Sequence, residues 1–140
     1  MGRDTRTGGV LEAMVLPALR RGGYTYETQV NIGIRLGGGK HIVDVLAADQ
    51  RNRRFLISMK WQQTSGTAEQ KVPFEVICLA QAINQKPDTY ERGYLVLGGL
   101  GWKLRDFYLS GDLHRFLAKA DRVSIVSLEN FVAIANKRRL

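Results

Sequence analysis

Residues 41–71, HIVDVLAADQRNRRFLISMKWQQTSGTAEQK, contain two apolar runs separated by the polar segment ADQRN. A polar connection between two apolar runs predicts a β-hairpin. If the hairpin folds symmetrically about Arg51, Asp44 on its first strand lies opposite Ser58 on its second. Side chains alternate between the two faces of a strand, so Lys60 shares the face of Ser58. The sequence therefore predicts a carboxylate and an ammonium group side by side on one face of a sheet.

The two faces of this hairpin differ in polarity. One face is predicted to pack in the core, and it carries Val43, Val45, Phe55, Ile57, Met59 and Trp61. The other face carries the polar group, with Leu46 and Leu56 nearer the turn. A buried charge needs a partner or a metal ion. The Asp44/Lys60 pair is therefore either a salt bridge on the solvated side of an antiparallel sheet or part of a functional site.

The order of elements around the hairpin resembles that of the PD-(D/E)XK nuclease superfamily, over roughly residues 8–100. The superfamily motif is an Asp on the second strand and (D/E)-x-Lys on the third. Asp44 matches the first Asp and Lys60 matches the Lys, while Val43 replaces the usual Pro and Ser58 replaces the second acid. The resemblance implies an α/β fold with an αβββαβ core. Its mixed central sheet would be flanked by helices, with C-terminal helix and strand additions.

The missing acid raises the question of a replacement. A hydroxyl group is a weak substitute for a carboxylate as a ligand of a hard metal ion. Some restriction endonucleases of the superfamily take the carboxylate from the following helix instead. This makes Glu69 and Glu75 the candidates in the present chain.

The predicted start of that helix decides between the two glutamates. Thr67 and Gln70 have capping-box spacing, which places Glu69 in the first turn on the sheet-facing stripe. A carboxylate there also complements the helix dipole without any catalytic role. Pro73 would instead favour a later start and give the role to Glu75. The periodicity favours Glu69.

The resemblance also implies the chemistry. Asp44 and the helix carboxylate, Glu69 or Glu75, would hold Mg²⁺ or Mn²⁺, and the backbone carbonyl of Met59 could add another ligand. Lys60 would orient or help to deprotonate the attacking water.

Two further residues have smaller predicted parts at this site. Ser58 could hydrogen-bond a metal-bound water. Glu12 lies on the predicted first helix, where some relatives place an acid near the metal. It would otherwise be a solvated helix-edge residue.

The charge balance indicates a polyanionic partner. The formal net charge is 21 − 13 = +8. Lys and Arg release counterions from a phosphate backbone, although a basic chain can also be basic for solubility. The predicted DNA contacts are Arg51, Arg53, Arg54, Gln62 and Lys71. Further basic clusters occur at residues 20–21 and 137–139.

Several classes of protein are disfavoured by composition. The lone Cys78 excludes an internal disulfide and a multi-cysteine zinc site. No apolar run has the length needed to span a membrane, and the N-terminus lacks the apolar region of a signal peptide. We therefore expect a single cytoplasmic domain over residues 1–140.

The remaining elements follow from periodicity and turn residues. We predict a first helix over 9–21, which Pro17 either bends or ends early, then a first strand over 24–36 with a bulge at Gly33 and a glycine turn at 37–39. After the hairpin and the second helix we predict a parallel strand over 93–98, short helices over 103–109 and 112–120, a last strand over 123–126, and a final helix capped by Ser127.

The predicted function is metal-dependent hydrolysis of DNA phosphodiester bonds, of a restriction, repair or junction-processing type. A chain with one site would cut both strands only as a dimer. The alternative is a noncatalytic nucleic-acid-binding module on a nuclease-like fold, for which Ser58 is the main argument. A double-stranded-RNA-binding domain shares the helix, three strands, helix order. The elements after residue 90 and the Asp44/Lys60 pair count against it.

Overall fold

The structure, a computed structural model, describes residues 9–140 and is built on one five-stranded sheet in the order β1-β2-β3-β4-β5. A π-helical segment, Leu11–Val15, continues into an α-helix, Leu16–Arg21, and together they form α1. The strands are β1 Thr25–Ile34, β2 Lys40–Ala48, β3 Arg54–Trp61, β4 Tyr90–Gly98 and β5 Val123–Ser127. The other helices are α2 Ala68–Gln85, α3 Arg105–Leu109, a 3-10 helix Asp112–Phe116 and α4 Leu128–Asn136.

The sheet is mixed, as predicted. Strands β1, β2 and β3 form an antiparallel meander, while β4 and β5 run parallel to β3. The order α1, β1–β3, α2, β4 confirms the predicted αβββαβ core. The parallel pairs require crossover connections, which α2 and the segment around α3 provide.

Both faces of the sheet are covered by helices, as predicted. Helices α1 and α4 pack on the face formed by Phe55, Ile57 and Met59. Helix α2 covers the other face, where Leu56 is fully buried and Ser58 is 6% exposed. Strands in a parallel arrangement are usually buried on both sides, and β3 follows that rule. The polar residues of β3 therefore lie beneath a helix.

The hairpin register agrees with the prediction. Val45 pairs with Ile57 and Ala48 pairs with Arg54, which centres the hairpin on Arg51. At Asp44 the two strands are joined differently, because its carboxylate oxygen Oδ2 accepts a hydrogen bond from the Met59 N–H at 2.8 Å.

The β1–β2 hairpin changes the face that it presents to the helices between the residue pairs Thr28–Val45 and Val30–Val43. We call the part towards the β1–β2 turn, which includes Val30 and Val43, the outer half of the hairpin. Gln29 has a positive φ of 53° between the pairs Thr28–Val45 and Val30–Val43. Val45 packs with α1, whereas Val43 packs with α2. The prediction that Val43 shares the face of Val45 is therefore wrong, because the pairing of β2 with β3 covers only Val45–Ala48 and Val43 lies beyond it. A register shift between Asn31 and Ile34 confirms the bulge around Gly33.

The N-terminal helix continues through Pro17. The π-helical turn closes with a hydrogen bond from the Leu16 N–H to the Leu11 carbonyl, and Pro17 lies in the first turn of the α-helical part. Pro17 thus directly follows the π-helical turn, where the regular i to i−4 hydrogen-bond pattern is already interrupted. The helix ends where Gly22 packs against α4, since a Cβ at Gly22 would lie only 2.0 Å from the Ala135 carbonyl oxygen.

The C-terminal elements are shorter than predicted. The 3-10 helix Asp112–Phe116 replaces the helix expected over 112–120, and Lys119 has a positive φ of 59° that is incompatible with helix. The final helix has its predicted cap, because the Ser127 hydroxyl accepts a hydrogen bond from the Asn130 N–H at 3.1 Å. No helix in the described part of the chain is long and apolar enough to cross a membrane. The predicted lack of a signal-peptide apolar region concerns the N-terminus, of which residues 1–8 lie outside the described residues.

Candidate active site

Asp44 lies where the backbone pairing of β2 with β3 ends, and its side chain is held by two hydrogen bonds. Its Oδ2 accepts the Met59 N–H at 2.8 Å, and its Oδ1 accepts from Gln29 Nε2 at 3.3 Å. The Met59 side chain is in the core on the α1 side, so its neighbours Ser58 and Lys60 point towards α2. The carboxylate and these two side chains are thus organised by a single stretch of β3.

Lys60 pairs with Glu75 across the space between β3 and α2. The distance from Lys60 Nζ to Glu75 Oε1 is 3.3 Å, with side-chain exposures of 26% and 17%. Arg35, on the β1–β2 turn, brings its Nη1 within 4.0 Å of the same oxygen. A partly buried pair is less screened by solvent than a surface pair. Glu75 is therefore the helix carboxylate that the structure places beside the motif lysine.

Glu69 lies in a different environment. Its Oε1 accepts hydrogen bonds from Gln62 Nε2, at 3.1 Å, and from the Lys103 N–H, while Oε2 accepts from the Leu104 N–H at 3.3 Å. The residue is 8% exposed. The Tyr108 hydroxyl also donates to the Glu69 carbonyl at 2.6 Å. We call Gln62, Glu69, Lys103 and Leu104 the Glu69 latch, because they join the start of α2 to the loop after β4.

The close fit of that loop explains the latch. Gly99 has a φ of 92°, and a Cβ there would lie 2.3 Å from the Gln62 carbonyl oxygen. The loop thus passes directly over the end of β3 and presents its N–H groups to Glu69. A metal ion at Glu69 would have to compete with these donors.

Helical spacing favours Glu69, but the glutamate that lies beside Lys60 is Glu75. Helix α2 begins at Ala68 after Thr67, as predicted, although the Thr67 side chain makes no capping hydrogen bond. Pro73 is accommodated inside the helix. Glu69 and Glu75 are six residues apart and point about 120° away from each other. Glu75 faces Lys60, and Glu69 faces the loop.

His41 is a residue of this site that the sequence analysis missed. It is 5% exposed, and its Nε2 has no hydrogen-bond partner among residues 9–140. Burial lowers the pKa of His41, although the negative charge of Glu75 opposes that effect and Arg35 adds to it. The rotation of the outer hairpin that turns Val43 towards α2 also accounts for the position of His41.

Two other predicted residues, Glu12 and Gln62, are not joined to Lys60 or Glu75 by any hydrogen bond or ion pair among the described residues, and they have other surroundings. Glu12 is exposed on α1, which packs on the opposite face of the sheet from α2. Gln62 is 5% exposed and uses both ends of its amide inside the protein, donating to Glu69 and Gly101 and accepting from the Ala68 N–H. It therefore has little surface to offer DNA.

The predicted basic contacts are all on the surface. Lys71 is exposed on α2. Arg51, Arg53 and Arg54 are exposed at the β2–β3 turn, at the other end of β3 from Lys60. The structure therefore separates the predicted DNA-contacting arginines from the predicted catalytic residues.

The donor set fits a metal ion that retains much of its water. Within residues 9–140, no group of three or more His, Cys, Asp or Glu side chains could hold a metal by itself. Asp44 and Glu75 provide two carboxylates, and the Met59 carbonyl and Ser58 hydroxyl provide further oxygen atoms. Mg²⁺ typically binds one or two carboxylates, several waters and substrate phosphates. Oxygen donors of this number and type are consistent with such an ion.

A comparison with protein families identifies one match. A model of the PD-(D/E)XK nuclease superfamily domain matches residues 3–139, which is almost the whole chain. A comparison with curated proteins finds no match.

Several solved structures are similar in fold. A protein of unknown function, AF1548, has a TM-score of 0.50 and 12% identity, covering 81% of this chain and 54% of its own. The SPO1766 protein of unknown function from Silicibacter pomeroyi has a TM-score of 0.41 and 16% identity, covering 62% and 49%. A repair endonuclease from Pyrococcus abyssi has a TM-score of 0.46 and 13% identity, covering 89% and 46%. The present chain thus spans about half the length of these proteins.

Proposed function

Because this chain belongs to the PD-(D/E)XK nuclease superfamily, we propose that it is a metal-dependent endonuclease that hydrolyses DNA phosphodiester bonds. Nucleases of this superfamily generally use divalent metals. The proposed metal is Mg²⁺ or Mn²⁺, and the proposed catalytic unit is a single nuclease-like domain.

The observation that carries the proposal is the group formed by Asp44, Lys60 and Glu75. Asp44 and Lys60 occupy the motif positions, and the 3.3 Å contact places a helix carboxylate at the Lys60 ammonium. The sheet and α2 also share an apolar contact formed by Leu56, Val72, Val76 and Leu79, so the packing of α2 on the sheet does not depend on this charged group. A costly set of charges in such a position supports a functional role.

Each residue has a distinct proposed part. Asp44 and Glu75 would hold the ion, and the ion would supply positive charge at the scissile phosphate and lower the pKa of a bound water. Lys60 would orient the attacking water and offset the negative charge of the phosphate. Ser58, beside them on β3, would hydrogen-bond a metal-bound water.

The proposed partner is DNA. The net charge of +8 and the exposed arginines favour a polyphosphate. A chain with one site would cut both strands of a duplex as a homodimer. Restriction, repair and junction processing all use this chemistry.

A second candidate function is a noncatalytic nucleic-acid-binding module. Ser58 stands in the position of the second acid, and among residues 9–140 the acid groups do not by themselves complete a metal site. In that case the Lys60–Glu75 pair would only stabilise the contact between α2 and the sheet.

Cleavage of a labelled DNA duplex in Mg²⁺, in Mn²⁺ and in chelator separates the two functions. The endonuclease proposal expects cleavage that depends on the metal and is lost in Lys60→Ala. Tight binding without cleavage under any divalent metal would favour the noncatalytic module. Identical cleavage by the parent and Lys60→Ala would indicate a contaminating nuclease and would contradict the site assignment.

A further inference from the structure

Three basic segments that are distant in the sequence meet at one end of the sheet. They come from the end of α1, the β2–β3 turn and the residues after α4, and every side chain in the group is exposed. We call this surface the basic end, and it comprises Arg20, Arg21, Arg51, Arg53, Arg54, Lys137, Arg138 and Arg139.

Direct contacts hold these segments together. Arg21 Nε donates to Asn136 Oδ1 at 2.9 Å, and the Leu140 N–H donates to the Tyr24 hydroxyl at 3.1 Å. These bonds tie the C-terminal residues to the end of α1 and the start of β1. The surface is therefore a fixed part of the fold.

A cavity of about 330 Å³ opens at the centre of the basic end. Its lining includes Tyr24, Asp49, Arg51, Arg53 and Arg138. Three arginines thus line a space that is large enough to admit a phosphate group.

The arginines of the cavity are not equivalent. Arg53 is bound to Asp49, with Nε donating to Oδ2 at 2.7 Å, and Asp49 Oδ1 also accepts the N–H groups of Arg51 and Arg53 at 2.9 Å. Within residues 9–140, no hydrogen bond or ion pair engages the guanidinium of Arg51 or of Arg138. One arginine therefore stabilises the turn, and two have donors available for an anion.

The position of the cavity suggests what the anion is. Arg54 opens β3 and Lys60 lies six residues further on, which corresponds to about 20 Å at the rise of a strand. A duplex advances about 3.4 Å per base pair, so this distance spans about six base pairs. A duplex of more than about six base pairs that follows β3 from the Asp44/Lys60 site would therefore extend to the end of the sheet at which the cavity opens.

We propose that the basic end is a second phosphate-binding site, in which Arg51 and Arg138 hold a phosphate of the nucleic acid away from the scissile bond. The inference rests on the proposed function in taking nucleic acid as the substrate. The phosphate belongs either to the continuous backbone or to a strand terminus. Both would be recognised by the same guanidinium donors.

The test uses the double variant Arg51→Ala/Arg138→Asn. Asparagine suits position 138 because Arg138 has a positive φ of 59°. Arg53 is left unchanged because Asp49 depends on it. One control is Arg115→Ala, which removes an exposed arginine on the 3-10 helix. The other controls are the two single variants, and Arg51→Ala removes the same charge as Arg115→Ala.

Affinity for a short labelled duplex is measured by fluorescence anisotropy in chelator, over a range of salt concentrations. The double variant should bind about tenfold or more weakly, and its log–log salt slope should fall by about two. Arg115→Ala should bind within about twofold of the parent. Equal losses in Arg51→Ala and Arg115→Ala, or parental binding by the double variant, would overturn the proposal.

Two further arms identify the phosphate and separate this inference from the catalytic one. The double variant is compared with the parent on two duplexes, one with a 5′-phosphate and one without. If only the phosphorylated duplex is bound more weakly by the double variant, the site takes a terminal phosphate; if both are bound more weakly, it takes the backbone. Competition by inorganic phosphate alone, with parental duplex binding by the double variant, would identify a free-anion site and contradict the proposal. Binding loss without any cleavage by the parent would uphold the basic end while the endonuclease function fails.

Discussion

Glu69 and Glu75 lie on the same helix, six residues apart, and have different surroundings. Glu69 is enclosed by hydrogen-bond donors of the protein, two of them backbone N–H groups of the loop after β4. Glu75 faces the ammonium of Lys60 and the guanidinium of Arg35. One carboxylate is used to join two segments of the fold, and the other is held among charged side chains.

This difference shows how a structural acid is distinguished from a candidate catalytic one. The backbone N–H groups can leave Glu69 only if the loop itself moves, whereas the side chains of Lys60 and Arg35 can leave Glu75 by changing rotamer. Helix position alone does not carry that information, since both glutamates lie near the sheet-facing stripe. The account therefore expects Glu69 to matter mainly for stability and Glu75 mainly for activity.

The largest expected effect is at the motif residues. Asp44→Asn should keep the shape of the side chain and remove its charge, and Lys60→Ala should remove the ammonium group. Each should lower single-turnover DNA cleavage by about 10²–10⁴-fold, the range for groups that assist proton transfer or charge stabilisation. Far-UV circular dichroism and DNA affinity in chelator should stay near parental values. Parental cleavage by both variants would remove this site from the reaction.

The next effect is the loss of stability in Glu69→Gln. An amide in place of the carboxylate leaves buried N–H donors of the Glu69 latch poorly paired, and hydrogen bonds to charged groups contribute about 1.5–3 kcal/mol each. Urea denaturation should show a loss of that order. Glu75→Gln, the same substitution on the same helix, is the matched control and should lose less. A larger loss in Glu75→Gln would reverse the comparison.

The smallest expected effect concerns acid stability at the basic end. Burial alone would raise the pKa of Asp49, but hydrogen bonds from the Arg53 N–H, the Arg53 guanidinium and the Arg51 N–H outweigh it and lower that pKa below 3.8. A carboxyl group with a lowered pKa stabilises the fold above its unfolded pKa, and that contribution is lost as the pH falls. The unfolding free energy of the parent should therefore decrease as the pH is lowered below about 4, and in Asp49→Asn that decrease should be smaller. An unchanged acid profile would show that the Asp49 turn does not contribute.

Much of the fold could be predicted from the sequence because local patterns determined it. The two apolar runs and the polar turn gave the hairpin register about Arg51, and Thr67 marked the start of α2. The parallel strand over 93–98 and the Ser127 cap followed from equally local signals. The motif positions Asp44 and Lys60 then followed from the order of these elements.

The remaining features depend on contacts between distant segments. Lys103 and Leu104 reach Glu69 from more than thirty residues away, so no periodicity within α2 could assign the Glu69 latch. The rotation at Gln29, which brings Val43 and His41 to the α2 side, has no glycine or proline to signal it. The basic clusters were visible in the sequence, but their assembly around one cavity was not.

The most direct test of the account is the ratio of cleavage rates for Glu75→Gln and Glu69→Gln. Single-turnover rates are measured on one labelled duplex in Mg²⁺ and corrected for the folded fraction of each variant. The account predicts that Glu75→Gln is at least about 100-fold slower than the parent, as expected when a metal-binding group is lost, and that Glu69→Gln stays within about fivefold of it. The reverse order would assign the second acid to Glu69, and parental rates in both variants would contradict the participation of any acid from α2.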